Sequence, residues 1–338
     1  MALVAHGASD VYLHGNPQVR IFDKTYKRTA RSNFTYLRLD LINTGDCAWS
    51  AHFEPKCDLL GDCYLCYTPK EGHERVGVDD VVSCSFTTTM KNDRRRILET
   101  LYPQTLEAFA RMRPDSYEMQ QSKTQAVVPL PFFFTRAPED FFSLLASQES
   151  RPSIECVLSD NALKPYIMYQ GVYLDTLERR ESMAHAQKLC VVSETIAVTE
   201  ESDSEGVVRA RITSLYGECK DLQIIIDGNP AVEKIDVRFA ECLHMSLDAV
   251  MSSRIIPRKF YGINQHDQAD PLIHYFPFCQ APCTTALTSA VHLGRIDYVD
   301  IVVHGLEKNK SYGLHIINQH FNVLLYMDKV CGFMYATQ

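Results

Sequence analysis

Short segments alternating apolar with polar residues run through most of this chain, and they limit what it can fold into. "VRIFDKTY", "FTYLRLDLI", "VDDVVSCSFTTTM", "YIMYQGVYLDT", "KLCVVSETIAV", "VRARITSLY", "DLQIIID", "RIDYVDIVVHGL" and "YGLHIINQHFNVLLYM" all read as strands. They are rich in Val, Ile, Tyr, Phe and Thr, which fit a pleated surface, and are bounded by Gly, Pro, Asn and Asp. Successive strand side chains point to opposite faces, so each segment offers one face to a core and one to solvent or a neighbour. Many strands with few helices point to sandwiches or barrels and away from a βαβ sheet. Two stretches read as helix. In "NDRRRILETLYPQTLEAFARMR", Ile97, Leu98, Leu101, Leu106, Phe109 and Met112 recur at helical spacing, with Pro103 expected to kink or split the element. "ECLHMSLDAVMSS" is a shorter candidate.

At 338 residues the chain is long for one hydrophobic core and comfortable for two. Apolar residues make up 46% and charged residues 22%, an ordinary globular balance. The strand pattern restarts after "YLDTLERRESMAHAQ", which is polar and charged, placing a boundary near residue 182. The expectation is an all-β chain of two consecutive β-sandwiches with few short helices. Residues 199–205, "TEESDSE", read as an acidic, solvated connection. The opening "MALVAHGASDVYLHG" lacks a basic region followed by an apolar run, and no apolar stretch approaches the ~20 residues of a membrane helix. A soluble protein made in the cytosol is expected.

The sequence carries no GxGxxG, Walker loop, HExxH or GxSxG. Its twelve cysteines, without a secretory signal, read as reduced thiols. Cys57, Cys63 and Cys66 cluster near His52 and His73, and Cys63 and Cys66 form a CxxC pair. A structural zinc site needs four convergent ligands, usually two such pairs, and "CQAPC" (Cys279, Cys283) has one residue too many. These three are the metal candidates, against a reading as buried thiols. His315 and His320 lie five apart, which on a strand sends them to opposite faces. Lys24, Lys27, Arg28 and Arg31, woven between Phe22, Tyr26 and Phe34, suggest a nucleic-acid arm. The net charge of −8 and the shortness of the run oppose it. Arg94, Arg95 and Arg96 read either as a solvated turn paired with Asp79, Asp80 or Glu99, or as an inter-subunit salt-bridge site. The residues themselves point to a two-domain β-sandwich of binding or structural type, without catalysis or cofactor. A carbohydrate-binding sandwich and a metal-dependent β-barrel enzyme stand as alternatives.

Four blocks add to this reading: "LVAHGASDVYLHGNPQVRIFDKTYKRTARSNF" (Leu3 to Phe34), "VPLPFFFTRAPEDFFSLLA" (Val128 to Ala146), "GVYLDTLERRESMA" (Gly171 to Ala184) and "YGLHIINQHFNVLLYMDKVCGFMYAT" (Tyr312 to Thr337). In this order they resemble the double jelly-roll major capsid proteins of the nucleocytoplasmic large DNA viruses. The second block is similar to that family's "VPL-x-FFF" strand, and the third to the "LDTxER" segment linking its two jelly rolls. The chain is shorter than typical members, and the second domain nearly lacks their long Gly/Thr/Ala-rich insertions.

The resemblance implies a basal segment at 1–17, a first jelly roll at 18–182 and a second at 183–338. It further implies a virion protein, assembled in the host cytoplasm, whose homotrimers form pseudo-hexagonal capsomers tiling an icosahedral shell. Implied partners are other copies in the trimer and in neighbouring capsomers, minor capsid proteins at the inner base and, as a further candidate, an internal membrane. Sequence-specific nucleic-acid contact is not implied. Within that frame the subunit-interface candidates are Arg94, Arg95, Arg96, Phe141, Phe142, Lys24 and Arg28. A minor capsid paralogue or an assembly scaffold is the alternative.

Overall fold

The computed structural model describes residues 31–69, 78–90, 93–122, 124–184, 187–263 and 272–335. The expected strand "VRIFDKTY", the basal segment, Lys24, Lys27, Arg28 and His73 lie outside them. Strands β1 (Asn33–Asp40), β2 (Ile42–Gly45), β3 (Ala48–His52), β4 (Leu59–Tyr67), β5 (Val81–Met90) and β6 (Arg95–Leu101) come first. Helices α1 (Pro103–Met112) and α2 (Pro114–Tyr117) precede β7 (Gln120–Gln121), β8 (Ala126–Pro129), β9 (Phe142–Ser143), β10 (Ser150–Leu158) and β11 (Tyr166–Tyr173). Helix α3 (Thr176–Ala184) leads to β12 (Gln187–Glu201), β13 (Val208–Ile212), β14 (Glu218–Ile226), β15 (Lys234–Phe239) and β16 (Cys242–Asp248). A π-helical turn (Met251–Ile255) runs into α4 (Ile256–Tyr261). The chain ends through β17 (Ile273–Pro277), β18 (Val291–His292), β19 (Val299–His304), β20 (Ser311–Met327) and β21 (Val330–Phe333).

Four antiparallel sheets result. One has the order β1-β11-β4-β8-β7, with β9 on β4, and its partner the order β2-β3-β10-β5-β6. The other two are β12-β20-β14-β17, with β18 and β21 attached, and β13-β19-β15-β16. The chain repeatedly crosses between paired sheets, so each pair closes over a core. In β13, Val208, Ala210 and Ile212 are buried while Arg209 and Arg211 are exposed, the alternation of a strand with one wet face. β14 is buried almost throughout because its outer face is also covered: Ile225 packs with Ile273, Tyr275 and Ile317 against Ala108 and Met112 of α1.

Residues 32–338 form one compact unit. β12 and β20 pair over fifteen residues, from Gln187↔Leu325 to Glu201↔Ser311. Such a ladder is about 50 Å long at ~3.4 Å per residue, longer than one core is wide. At one end Cys190, Val192, Leu324 and Tyr326 join the core of the first sheet pair; at the other Leu314 and Ile316 join the second.

The structure corrects several expectations. The stretch expected as one interrupted helix is strand β6 followed by α1, with Pro103 in the first turn, where its missing N–H costs nothing. A bulge in the β5–β6 ladder breaks the alternation of β6 and buries both Leu98 and Glu99, which imitates helical spacing. "ECLHMSLDAVMSS" is strand β16 before it turns helical. "VPLPFFF" is strand only to Pro129. Phe132, Phe133 and Phe134 occupy a turn in which all three are buried around Phe86, an arrangement that alternation along a strand forbids. Thr199, Glu200 and Glu201 extend β12 rather than opening the loop.

Candidate functional site

The contact between the two sheet pairs concentrates buried charge. Glu99 of β6 is the lone carboxylate among the apolar residues Leu98 and Leu101, and a buried carboxylate must find donors. Its Oε1 accepts from Arg136 Nη2 at 2.8 Å and from the Ser193 N–H of β12 at 2.7 Å; its Oε2 accepts from the Phe133 N–H. Arg136 also donates to Ser193 Oγ at 2.8 Å, and its guanidinium lies 5.0 Å from the Phe109 ring of α1. Both ionic side chains are essentially sealed from solvent, at 1% and 0% exposure. Burial pushes the Glu99 carboxyl up to about 6, with Arg136 and the two N–H donors opposing the shift. One carboxylate thus ties together β6, the Phe turn and β12.

Other ties lie elsewhere in the fold. Thr105 of α1 shares a hydrogen bond with Thr195 of β12 at 2.6 Å. Ser150 Oγ accepts from Cys331 N–H, and Tyr326 Oη accepts from Ser143 N–H. Asp58, buried, accepts from Leu174 N–H and from Arg179, each at 2.8 Å, which holds the start of α3 against the first sheet pair. Beside Glu99 a cavity of about 160 Å³ is lined by Tyr102, Ser193, Glu194, Tyr216 and His320. Burial pushes Glu194 up to about 7 and His320 down to about 4, so each favours its neutral form.

The sequence-derived candidates fall in different places. Arg94, Arg95 and Arg96 are exposed at the start of β6. Arg95 is ion-paired with Glu155 of β10, and Glu99, one of the three carboxylates expected beside the arginine run, is held by Arg136 instead. Arg96 lies across Gly332 of β21, where an added side chain would have to push its guanidinium aside. Phe141 is half-buried against Gly61 in a cleft of about 760 Å³ shared with Asp62, Tyr64, Gln170 and Leu174, and its carbonyl accepts from Lys188 Nζ at 2.7 Å. Phe142 cannot serve as a subunit contact. It is fully buried, with its ring 5.2 Å from Phe86 and 6.0 Å from Tyr326.

The metal candidates do not converge. Cys63 and Cys66 are three apart on β4 and therefore face opposite sides of the sheet. Burial raises the thiols of Cys57, to about 11, and of Cys63 and Cys66, keeping them protonated and poor as ligands. Among the described residues no three His, Cys, Asp or Glu side chains come together as a metal site. His315 bonds Asp227 at 3.0 Å, while His320 is buried beside Tyr216.

No family profile and no curated protein matches the sequence. Solved structures do match its shape. A chain of the PBCV-1 virus capsid superposes with a TM-score of 0.79 at 12% identity, covering 94% of this chain and 100% of that one. The Faustovirus major capsid protein gives 0.69 at 9% identity, covering 91% and 93%. A chain of Sulfolobus Turreted Icosahedral Virus gives 0.54 at 6% identity, covering 86% and 90%.

The fold is a double jelly roll. Its two sandwiches are joined by the Glu99–Arg136 cluster, the β12–β20 ladder and α1. The pairing of Glu99 was hidden in the sequence because Arg136 lies thirty-seven residues away, beyond the Phe turn. The only signal was the carboxylate itself, isolated in an apolar run.

Proposed function

We propose that this chain is a structural protein of a viral capsid, whose double jelly rolls close in threes into pseudo-hexagonal capsomers that tile an icosahedral shell. The observation carrying the reading is coverage: the fold matches a PBCV-1 capsid chain over 94% of this chain and all of that one. The sealed seam supports it. Two lobes fixed in one unit give a ring of three copies six lobes, and rotational closure of head-to-tail contacts gives rings. The proposed divisions are 18–182 and 183–338, with 1–17 at the base.

In this reading the protein resides in the virion after assembly in the host cytoplasm. It contacts its own copies, minor capsid proteins at the inner base and an internal membrane, and takes no part in sequence-specific nucleic-acid binding. Arg94, Arg95, Arg96 and Phe141 are the interface residues, together with Lys24 and Arg28. A minor capsid paralogue or an assembly scaffold would share this geometry and differ in abundance within the mature particle.

Mass in solution together with negative-stain microscopy of the purified protein tests the reading. The expected result is a trimer with a hexagonal outline about its three-fold axis. A monodisperse monomer at tens of micromolar would overturn it.

A further inference from the structure

Cys84 of β5 and Cys156 of β10 are direct partners in the antiparallel ladder of the first jelly roll, and their sulfur atoms are 3.2 Å apart. Both side chains are wholly buried on the core face of the sheet. Directly opposed antiparallel residues have Cα atoms ~4.5–5.5 Å apart, inside the ~4.4–6.8 Å range that a disulfide spans. Closing the bond therefore needs a movement of about 1 Å at each sulfur or less, and no change of register.

We propose that Cys84 and Cys156 form a latent cross-strand disulfide: reduced when the chain is made, and closed when folding or transient opening of the sheet meets a disulfide oxidant. The step balances with a small-molecule disulfide such as oxidised glutathione. The thiolate of one cysteine attacks the oxidant, releasing one reduced thiol and leaving a mixed disulfide. The second cysteine displaces the other half, forming the Cys84–Cys156 bond and releasing a second thiol. Two hydrogens pass from the cysteine pair to the oxidant.

The surroundings explain why the state would persist. The contact with Cys84 and burial both hold the Cys156 thiol well above its ordinary range, so the folded protein presents almost no thiolate to start the exchange. Once closed, the bond is equally hidden from reductants. It would enclose the chain between residues 84 and 156, and that loop contains both Glu99 and Arg136. A disulfide closing a long loop restricts the unfolded chain and so holds this segment, with its half of the seam, in place. The chemistry stands apart from the capsid reading. Its use rests on it: a shell protein passes from a reducing cytosol to an oxidising exterior.

The test maps disulfides in the full-length chain. Protein is refolded from urea with oxidised glutathione or with a reductant, alkylated in denaturant, digested and analysed by mass spectrometry. A parallel sample is held with the oxidant a few degrees below its melting midpoint, which needs no refolding. The expected product is a peptide linking Cys84 to Cys156, two hydrogens lighter than the reduced pair, with a melting midpoint raised by roughly 4–10 °C. The link should be absent, and the rise lost, in Cys156→Ser. Folded, oxidised protein with both cysteines alkylated would overturn the proposal, as would links only through the exposed Cys242 and Cys283. A monomer by light scattering would sink the capsid reading and leave this bond untouched.

Discussion

Arg136 illustrates how a buried charge can be indispensable without being a source of net stability. Removing it as Arg136→Ala leaves Glu99 sealed in the seam with only its two backbone donors. The expected loss is about 3–5 kcal/mol in urea unfolding, whereas the pair Glu99→Leu with Arg136→Met should recover most of it. Acidity offers a second probe through Glu194. Its folded pKa, raised to about 7 from an unfolded 4.5, means that the native state holds more protons between those values. Stability from this group therefore falls as pH rises from 4.5 to 7. Glu194→Gln should be more stable than the parent at pH 7.5, by on the order of 1–2 kcal/mol, with the difference gone by pH 4.5. His320, lowered to about 4 from 6.5, acts with the opposite sign, and its contribution is lost as pH falls through that window. Comparing the melting curves of Glu194→Gln and His320→Gln across pH separates the effects. A flat difference for Glu194→Gln would show that the carboxyl is not held neutral.

Among the elements, eight strands were legible and the interruptions were not. β1, β5, β11 to β14, β19 and β20 obey alternation or are continuous apolar runs, and period-two patterning is what a half-wet sheet writes into a sequence, whereas β4, β10 and β15 were not among the segments read as strands. β6 was misread because its bulge at Leu98 placed two adjacent side chains inward. Helix α3 was read as a charged linker because none of its residues is buried, so it has no apolar stripe to detect. Its anchor is instead the capping of Leu174 and Arg179 by Asp58, more than a hundred residues earlier in the chain. Asp58→Ala should loosen that start, raising amide exchange across 174–184 about tenfold while β4 and β11 keep their protection. Uniform exchange in parent and variant would mean that α3 is held elsewhere. The site fared less well than the fold. Arg94 to Arg96 are exposed as a charge run should be, but Phe142 looked like Phe141's twin and is core. Phe142 opens the short strand β9 and Phe141 leaves the turn before it, and sequence does not say which of the two neighbours turns in.

For the whole molecule the proposed capsid role turns on which charges would face outward to other copies. Arg95→Glu breaks the in-chain pair with Glu155 and also removes a cation from the surface. If Arg95 meets a neighbouring subunit, Arg95→Glu should weaken trimers at least tenfold, and the swap Arg95→Glu with Glu155→Arg should restore folding stability without restoring assembly. Recovery of the trimer by the swap, read by light scattering, would confine Arg95 to an internal role. The fifteen-residue ladder of β12 and β20 carries a different implication. Strands loaded along their length resist sliding through all their hydrogen bonds at once, whereas strands peeled from one end give way bond by bond. A load pressed on one lobe reaches the other along this ladder in the stiff direction. The two lobes then behave as a single strut, and in the proposed shell a wall tiled with such struts would yield first at the joints between molecules.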